Sequence, residues 1–125
     1  MNTATNRVRE SDCLLFFKVM ADDTRLKIIL MLMCESELCV CELTHALELS
    51  QPKISRHIAL LKKQQLLSER KSGRWVYYSM AKPLSQWKQI VIKSCFEENL
   101  PVIDECLRNL AMMGERPERA QQCCN

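Results

Sequence analysis

Glycine and proline are scarce in this chain, with two glycines and four prolines among 125 residues. So few backbone breakers exclude a loop-rich or low-complexity scaffold and leave helix as the default. Long apolar runs are missing as well. The apolar stretch at residues 26–33 is far shorter than the ~20 residues that a transmembrane helix needs. The first ten residues are polar and charged and do not form a secretory signal pattern. Both absences lead to the expectation of a cytoplasmic protein with no membrane partner. Histidine is nearly absent, with only His45 and His57. No His–carboxylate pair, glycine-rich phosphate loop or nucleophile motif is found, so the chain does not read as an enzyme.

What is abundant is cysteine, with eight residues. In a small secreted protein they would form a disulfide framework. Without an export pattern they read as reduced thiols for metal binding or redox sensing. The length suits one domain. A chain of this size buries its core only moderately, so a dimer interface would add stability.

The net charge of +3 is unevenly spread. Residues 50–80 carry Lys53, Arg56, Lys62, Lys63, Arg70, Lys71 and Arg74 against the single acid Glu69. A basic segment on a mildly acidic body points to a polyanionic partner.

Ser11 is placed to cap a first helix bearing Leu14, Phe16, Phe17 and Val19. Asp22 is placed to cap a second, whose apolar residues cover most faces and therefore predict a central, buried helix. A polar break at residues 35–37 precedes a short third helix from about residue 39 to 47. Ser50 caps a fourth helix with Pro52 in its first turn. There Ile54, Ile58 and Leu61 form the buried stripe, Arg56 and Lys63 face away from it, and Gln51, Lys53 and Ser55 stand at the exposed N-terminal end. Residues 66–71 and 74–80 read as strands joined by a Ser72-Gly73 turn, with Arg70, Lys71 and Arg74 crowding the tip. A helix follows Pro83, a break falls at Asn99 and Pro101, and a last helical segment ends at Gly114.

The fold class expected is mainly α with a small β-hairpin, a dimeric winged helix-turn-helix. Residues 1–113 form the DNA-binding and dimerisation domain, and residues 114–125 a flexible polar tail with a vicinal cysteine pair. The second helix of a helix-turn-helix enters the major groove with its N-terminal residues on base edges. The DNA-contact candidates are therefore Gln51, Lys53, Ser55, Arg56, His57 and Lys63 on the reading helix and Arg70, Lys71 and Arg74 on the hairpin. Gln51 suits an adenine edge, and Lys53 and Arg56 suit guanine or phosphate. The partner expected is double-stranded operator DNA.

Four segments carry a resemblance. They are Ala21-Asp22-Asp23-Thr24-Arg25-Leu26, Glu37-Leu38-Cys39-Val40-Cys41-Glu42-Leu43, Leu49-Ser50-Gln51-Pro52-Lys53-Ile54-Ser55-Arg56-His57 and Gly73-Arg74-Trp75-Val76-Tyr77-Tyr78. In this order and spacing the chain resembles the ArsR/SmtB family of metal-responsive repressors, and most of all its arsenical-resistance branch. The resemblance implies a homodimer with the first and fifth helices at its interface. It also implies a repressor of a resistance operon that is released when its inducer binds.

Cys39-Val40-Cys41 is the informative thiol pair. Soft thiolates select soft or borderline ions, and a helix N-terminus favours the thiolate. Read as residues i and i+2 of one helix, the two sulfurs point about 200° apart, so sharing an ion would distort the first turn. In the resembled branch the pattern is Cys-x-Cys-x-x-Cys, three thiolates for trivalent arsenic or antimony. Here the third position is Thr44. Three ways to complete the site remain open: Cys13 from the same or the partner subunit, the tail pair Cys123 and Cys124, or two thiolates alone. Cys13 ranks slightly ahead. No permanent cofactor is expected. As(III) or Sb(III) is the expected inducer, with Cd(II), Pb(II), Zn(II) or thiol oxidation as alternatives. The Asp and His site that zinc and nickel sensors of the family build on the fifth helix has no counterpart, since residues 84–110 contain no His. Cys34, Cys95 and Cys106 read as buried apolar residues.

Overall fold

The structure is a computed structural model and describes residues 10–115 and Arg119. Six α-helices, a three-stranded sheet and one 3₁₀ turn are seen among the described residues. The helices begin where short polar side chains can take up free backbone N–H groups. Ser11 accepts from Leu14 N–H at 3.1 Å to start α1 (Asp12–Met20). Asp22 accepts from Arg25 N–H at 3.0 Å to start α2 (Asp23–Glu35). Ser50 caps α4 (Gln51–Lys63), and Pro52 lies in its first turn, where its missing N–H costs nothing.

Helix α2 is central. Five consecutive residues, Ile28, Ile29, Leu30, Met31 and Leu32, are buried, so neighbours cover it on every side. Each such side chain contributes roughly 1.5–3 kcal/mol on burial. Ile54, Ile58 and Leu61 of α4 join the same core, as their spacing foretold. The expected burial of Cys106 is observed, whereas Cys95 is half-buried and Cys34 is exposed. Cys34 falls on the last turn of α2, where the helix runs out past the core toward the polar break.

The sheet comprises β1 (Leu38–Cys39), β2 (Leu67–Ser72) and β3 (Trp75–Met80) in the antiparallel order β1-β3-β2. Two features differ from the sequence reading. Residues 38 and 39 form a short strand on Tyr78 and Tyr77, so α3 starts one residue later, at Val40 (Val40–Leu47). Ser72 pairs with Trp75, so the turn is Gly73-Arg74, with Gly73 in the left-handed region at φ +62°. The shift places Arg74 in the turn itself.

Helix α5 (Gln86–Glu98), a 3₁₀ turn (Leu100–Ile103) and α6 (Asp104–Ala111) complete the chain up to Gly114. Helix α6 lies along α3, and Asn109 Nδ2 donates to the Ala46 carbonyl at 3.0 Å. On the other side of the molecule Phe16, Phe17 and Trp87 join α1 to α5, with Phe16 5.1 Å from each of the other two rings. Buried Lys88 of α5 pairs with Asp12 of α1 at 3.1 Å. The division at residue 113 puts most of the expected tail, residues 116–118 and 120–125, outside the described residues, including Cys123 and Cys124. No helix among the described residues is long and apolar enough to cross a membrane.

The Asp22 cap yields a prediction with a definite pH signature. Its backbone hydrogen bond from Arg25 holds the carboxyl below its ordinary pKa. The stabilisation is therefore fully present above the unfolded value of about 3.9 and is lost as pH falls through the folded value. Replacing Asp22 with Ala should cost about 1 kcal/mol at pH 7. Urea melts should show this gap narrowing in acid, and a gap independent of pH would remove the charged cap from the account.

Candidate nucleic-acid interface and thiol cleft

Helix α3 stops at Glu48, whose left-handed φ of +57° turns the chain. Ser50 then opens α4, so α3 and α4 are joined by the short turn of a helix-turn-helix. With Ile54, Ile58 and Leu61 committed to the core, Gln51, Lys53, Ser55, Arg56 and Lys63 are exposed on the opposite side of α4. His57 departs from the sequence reading. It is half-buried, with Nδ1 3.1 Å from Arg25 NH1 and 3.8 Å from Asp22 Oδ2. Burial pushes its pKa down, Asp22 opposes the shift, and Arg25 and Arg56 add to it. The imidazole thus ties the start of α2 to α4 instead of joining the exposed row.

The hairpin cations divide in the same manner. Lys71 and Arg74 are exposed at the tip. The Arg70 guanidinium is gripped by both Glu37 carboxylate oxygens at 2.8 Å and lies 4.9 Å from the Tyr77 ring centroid. A nearby pair, Lys62 and Glu69, meets at 2.6 Å. Arg70 is thereby charge-balanced within the protein, whereas Lys53 and Arg74 have no ion pair described.

The two informative cysteines occupy the junction of strand and helix, and Cys41 is disulfide-bonded. Cys39 is the last residue of β1 and the N-cap of α3, extended at φ −92° and ψ 168° and buried. Cys41 is the second residue of α3 and is half-buried. The expectation of two sulfurs on one helix, 200° apart, therefore does not apply. One sulfur belongs to the sheet, through its pairing with Tyr77, and the other to the helix. Both line a cleft of about 620 Å³ whose other walls include Thr44, Gln51, Arg74 and Trp75. Thr44 donates its hydroxyl to the Val40 carbonyl at 2.9 Å, a local back-bond, and provides no thiolate. Trp75 Nε1 is buried without a hydrogen-bond partner. Cys13 is exposed on α1, and its thiol is free. Among the described residues no three His, Cys, Asp or Glu side chains come together in one protomer as a metal-binding group.

Two residues that the sequence reading missed govern the start of α3. Glu42 is fully buried and accepts the Cys39 N–H at 2.9 Å. Arg119 donates to the other Glu42 oxygen at 2.6 Å. The sequence signal for Glu42 was half a capping box: a glutamate stands at the third helical position, but a cysteine replaces the usual Ser or Thr cap. Arg119 has no local signal, since its partner is 77 residues away.

Residues 22–69, which hold the helix-turn-helix, match the model of the bacterial regulatory protein, arsR family. The arsenic resistance transcriptional regulator ArsR1 of Pseudomonas putida is 48% identical over 107 residues, spanning 86% of this chain and 84% of that protein. This chain belongs to the ArsR family. The arsenical resistance operon repressor of Escherichia coli is 45% identical over 95 residues, 76% of this chain and 81% of its own. Among solved structures, reduced HlyU from Vibrio cholerae superposes with a TM-score of 0.63 at 33% identity, covering 70% of this chain and 88% of that one. The chain is accordingly a DNA-binding transcriptional regulator of the winged helix-turn-helix type, not an enzyme.

Charge-balanced and unbalanced cations should separate in a salt titration of DNA binding. Each phosphate contact contributes a slope of about 0.9 in log K against log salt. Lys53→Ala and Arg74→Ala should each lower the slope by roughly one, and Arg70→Ala by distinctly less because Glu37 already neutralises it. Fluorescence anisotropy on a labelled operator duplex between low and moderate salt reads this directly. Equal losses for Arg70 and Arg74 would contradict the assignment.

Proposed function

We propose that this regulator represses an arsenic-resistance operon as a cytoplasmic homodimer and leaves its operator when trivalent arsenic, or antimony, is taken by Cys39 and Cys41. The observation that carries the reading is the shared cleft, in which Cys39 and Cys41 and two of the candidate DNA contacts, Gln51 and Arg74, form walls of one space; reduction of Cys41 is the condition for both sulfurs to bind. The names of the relatives in Pseudomonas putida and Escherichia coli support the choice of arsenic.

The donor set fits a soft ion, since two cysteines face the cleft and no aspartate does. A bound metalloid would supply a bridge between the two sulfurs. Everything else is done by the chain. Cys39 is anchored to β3 through Tyr77, so a pull on its sulfur is transmitted to the hairpin that carries Arg74. Cys41 is anchored in the first turn of α3, the support of the reading helix. Drawing the two together changes the angle between hairpin and helix pair, the angle that sets whether Arg74 and the start of α4 can engage the duplex at once. Trp75, between them with an unpaired indole N–H, has an unsatisfied donor to gain a partner when the cleft rearranges. The coupling expected is about 1–3 kcal/mol and reciprocal, so operator DNA weakens the hold on the ion by the same factor.

The dimer is supported by the apolar face that α1 and α5 leave uncovered. Leu14, Phe17, Trp87 and Ile90 are 46%, 47%, 36% and 55% exposed. A contiguous patch of large apolar side chains on a small protein marks an association surface. A second reading, a cadmium-, lead- or zinc-responsive repressor, draws on His45, which lines the same cleft and would add a borderline ligand.

Cys39→Ser and Cys41→Ser should each bind operator DNA as the parent does and no longer release it with arsenite. Anisotropy under a phosphine reductant, with cadmium and zinc in parallel, distinguishes the inducers. Arsenite release at the parental dose by either variant would overturn the site. Release by cadmium or zinc alone would replace arsenic with the second reading.

A further inference from the structure

We propose that Arg25 and His57 are positioning residues for the reading helix α4, that they tie it to the junction of α1 and α2, and that protonation of His57 releases the tie and weakens operator binding in acid. The inference concerns DNA binding, which membership of the family establishes, and is independent of the inducer.

The core holds α4 down more firmly than it holds its rotation. Ile54, Ile58 and Leu61 form a single apolar stripe, and apolar contact is non-directional. His57 stands beside that stripe, one turn after Lys53 and next to Arg56, both of them exposed. A directional bond at this point sets how α4 is turned, and with it where Lys53 and Arg56 stand.

Arg25 provides the bond. Its Nε donates to the Val19 carbonyl at 2.7 Å, in the last turn of α1, where helix carbonyls lack partners of their own. Its backbone N–H donates to Asp22 at 3.0 Å. Its NH1 lies 3.1 Å from His57 Nδ1. The planar guanidinium holds Val19 and His57 in one fixed fork, which the single ammonium of a lysine does not reproduce. The end of α1, the start of α2 and the reading helix thus meet at one side chain.

The same contact assigns the imidazole proton. A guanidinium only donates, so Nδ1 accepts, and the ring is neutral with its proton on Nε2. Protonation of Nδ1 sets two donors and two positive charges against each other. The alternative acceptor, Asp22 Oδ2, is 3.8 Å away, beyond hydrogen-bond distance, so the ring must move to reach it and α4 moves with it. Burial, Arg25 and Arg56 favour the neutral ring and Asp22 opposes them, so His57 stays neutral to below its ordinary value of 6.5. Charged groups on the other elements around α4 have other partners or face elsewhere. Lys18 of α1 is held by Glu10, and Asp23 of α2 by Lys27. Glu42 of α3 takes Arg119, His45 faces the cysteine cleft, and Glu48 faces a hollow against α6. Glu69 and Arg70 of β2 take Lys62 and Glu37, and Lys71 is at the exposed tip.

The test is fluorescence anisotropy of the full chain on a labelled operator duplex, at fixed ionic strength, from about pH 8 to about pH 5. Circular dichroism at each pH keeps loss of fold apart from loss of affinity. The parent should bind evenly above pH 6.5 and lose about tenfold in affinity as pH falls through the folded value of His57. His57→Gln, whose side-chain oxygen accepts from Arg25 and does not titrate, should bind much as the parent does in the neutral range and keep its affinity in acid. Arg25→Lys should bind about tenfold more weakly throughout, with a flat profile. If Arg25→Lys does not fold, nitrogen-15 NMR of the parent imidazole decides the contact, and a proton on Nε2 is expected. A proton on Nδ1 in the neutral range would overturn the proposal. So would a flat parent profile, an acid loss that persists in His57→Gln, or parental binding by Arg25→Lys. Affinity that rises in acid would overturn it too, and would make His57 a phosphate contact. Each of these outcomes leaves the arsenic reading standing.

Discussion

One carboxylate with no access to water organises the junction of β1 and α3. Glu42 is placed in the interior because it follows Cys41 in the first turn of α3, where Leu43 and Ala46 must face the core. A buried, uncompensated charge would be costly enough to unfold the turn. The Cys39 N–H at one oxygen and the Arg119 guanidinium at the other resolve that cost. The first of these fixes the strand-to-helix junction at Cys39 and hence the separation of the two cysteines. The second recruits a residue from beyond α6 and fastens it beside them. The elements of the site that are distant in sequence are thus held by the satisfaction of one group, and the sulfurs are arranged around it as a consequence.

The same logic separates the cations left exposed as candidate DNA contacts from those that hold the protein together. Glu37 lies in the polar break between α2 and β1 and grips Arg70 with both oxygens. Asp22 and Arg25 at the start of α2 take His57 from the reading helix. In both cases an acid near an end of α2 draws in a basic group that its sequence position alone would assign to the nucleic acid. The basic segment consequently offers fewer charge-unbalanced cations than its composition suggests. Its unbalanced members, Lys53, Arg56, Lys63, Lys71 and Arg74, line the side of α4 and the hairpin tip that the core does not use.

This division explains how much of the molecule could be read from its sequence. The caps Ser11, Asp22 and Ser50 and the stripe Ile54, Ile58 and Leu61 are local patterns, in which cause and effect lie within one or two turns, and all were legible. So was the order of helices and hairpin. What escaped the reading depends on partners far apart in the chain. The two-residue strand at Leu38 and Cys39 exists only because Tyr77 and Tyr78 offer it an edge. Arg70 lies 33 residues from Glu37, and Arg119 lies 77 from Glu42. The thiol pair itself was legible as chemistry but not as geometry, since the spacing Cys-x-Cys does not say that one sulfur belongs to a strand and the other to a helix.

That geometry changes the kind of coupling the fold can support. Had both sulfurs been on one helix, a shared ligand would act by straining that helix, a local cost with no necessary link to the hairpin. With Cys39 on β1 and Cys41 on α3, a shared ligand would act between two bodies that each carry candidate DNA contacts: the sheet with Arg74, and the helix pair with Gln51 at its exposed end. The cleft between them is the one space that both must agree on. On the proposed reading, a duplex that engaged hairpin and reading helix together would hold the cleft at one width, and a ligand that bridged the sulfurs would hold it at another. Either occupant would then oppose the other by the same free energy, and neither would need to touch the other to do so.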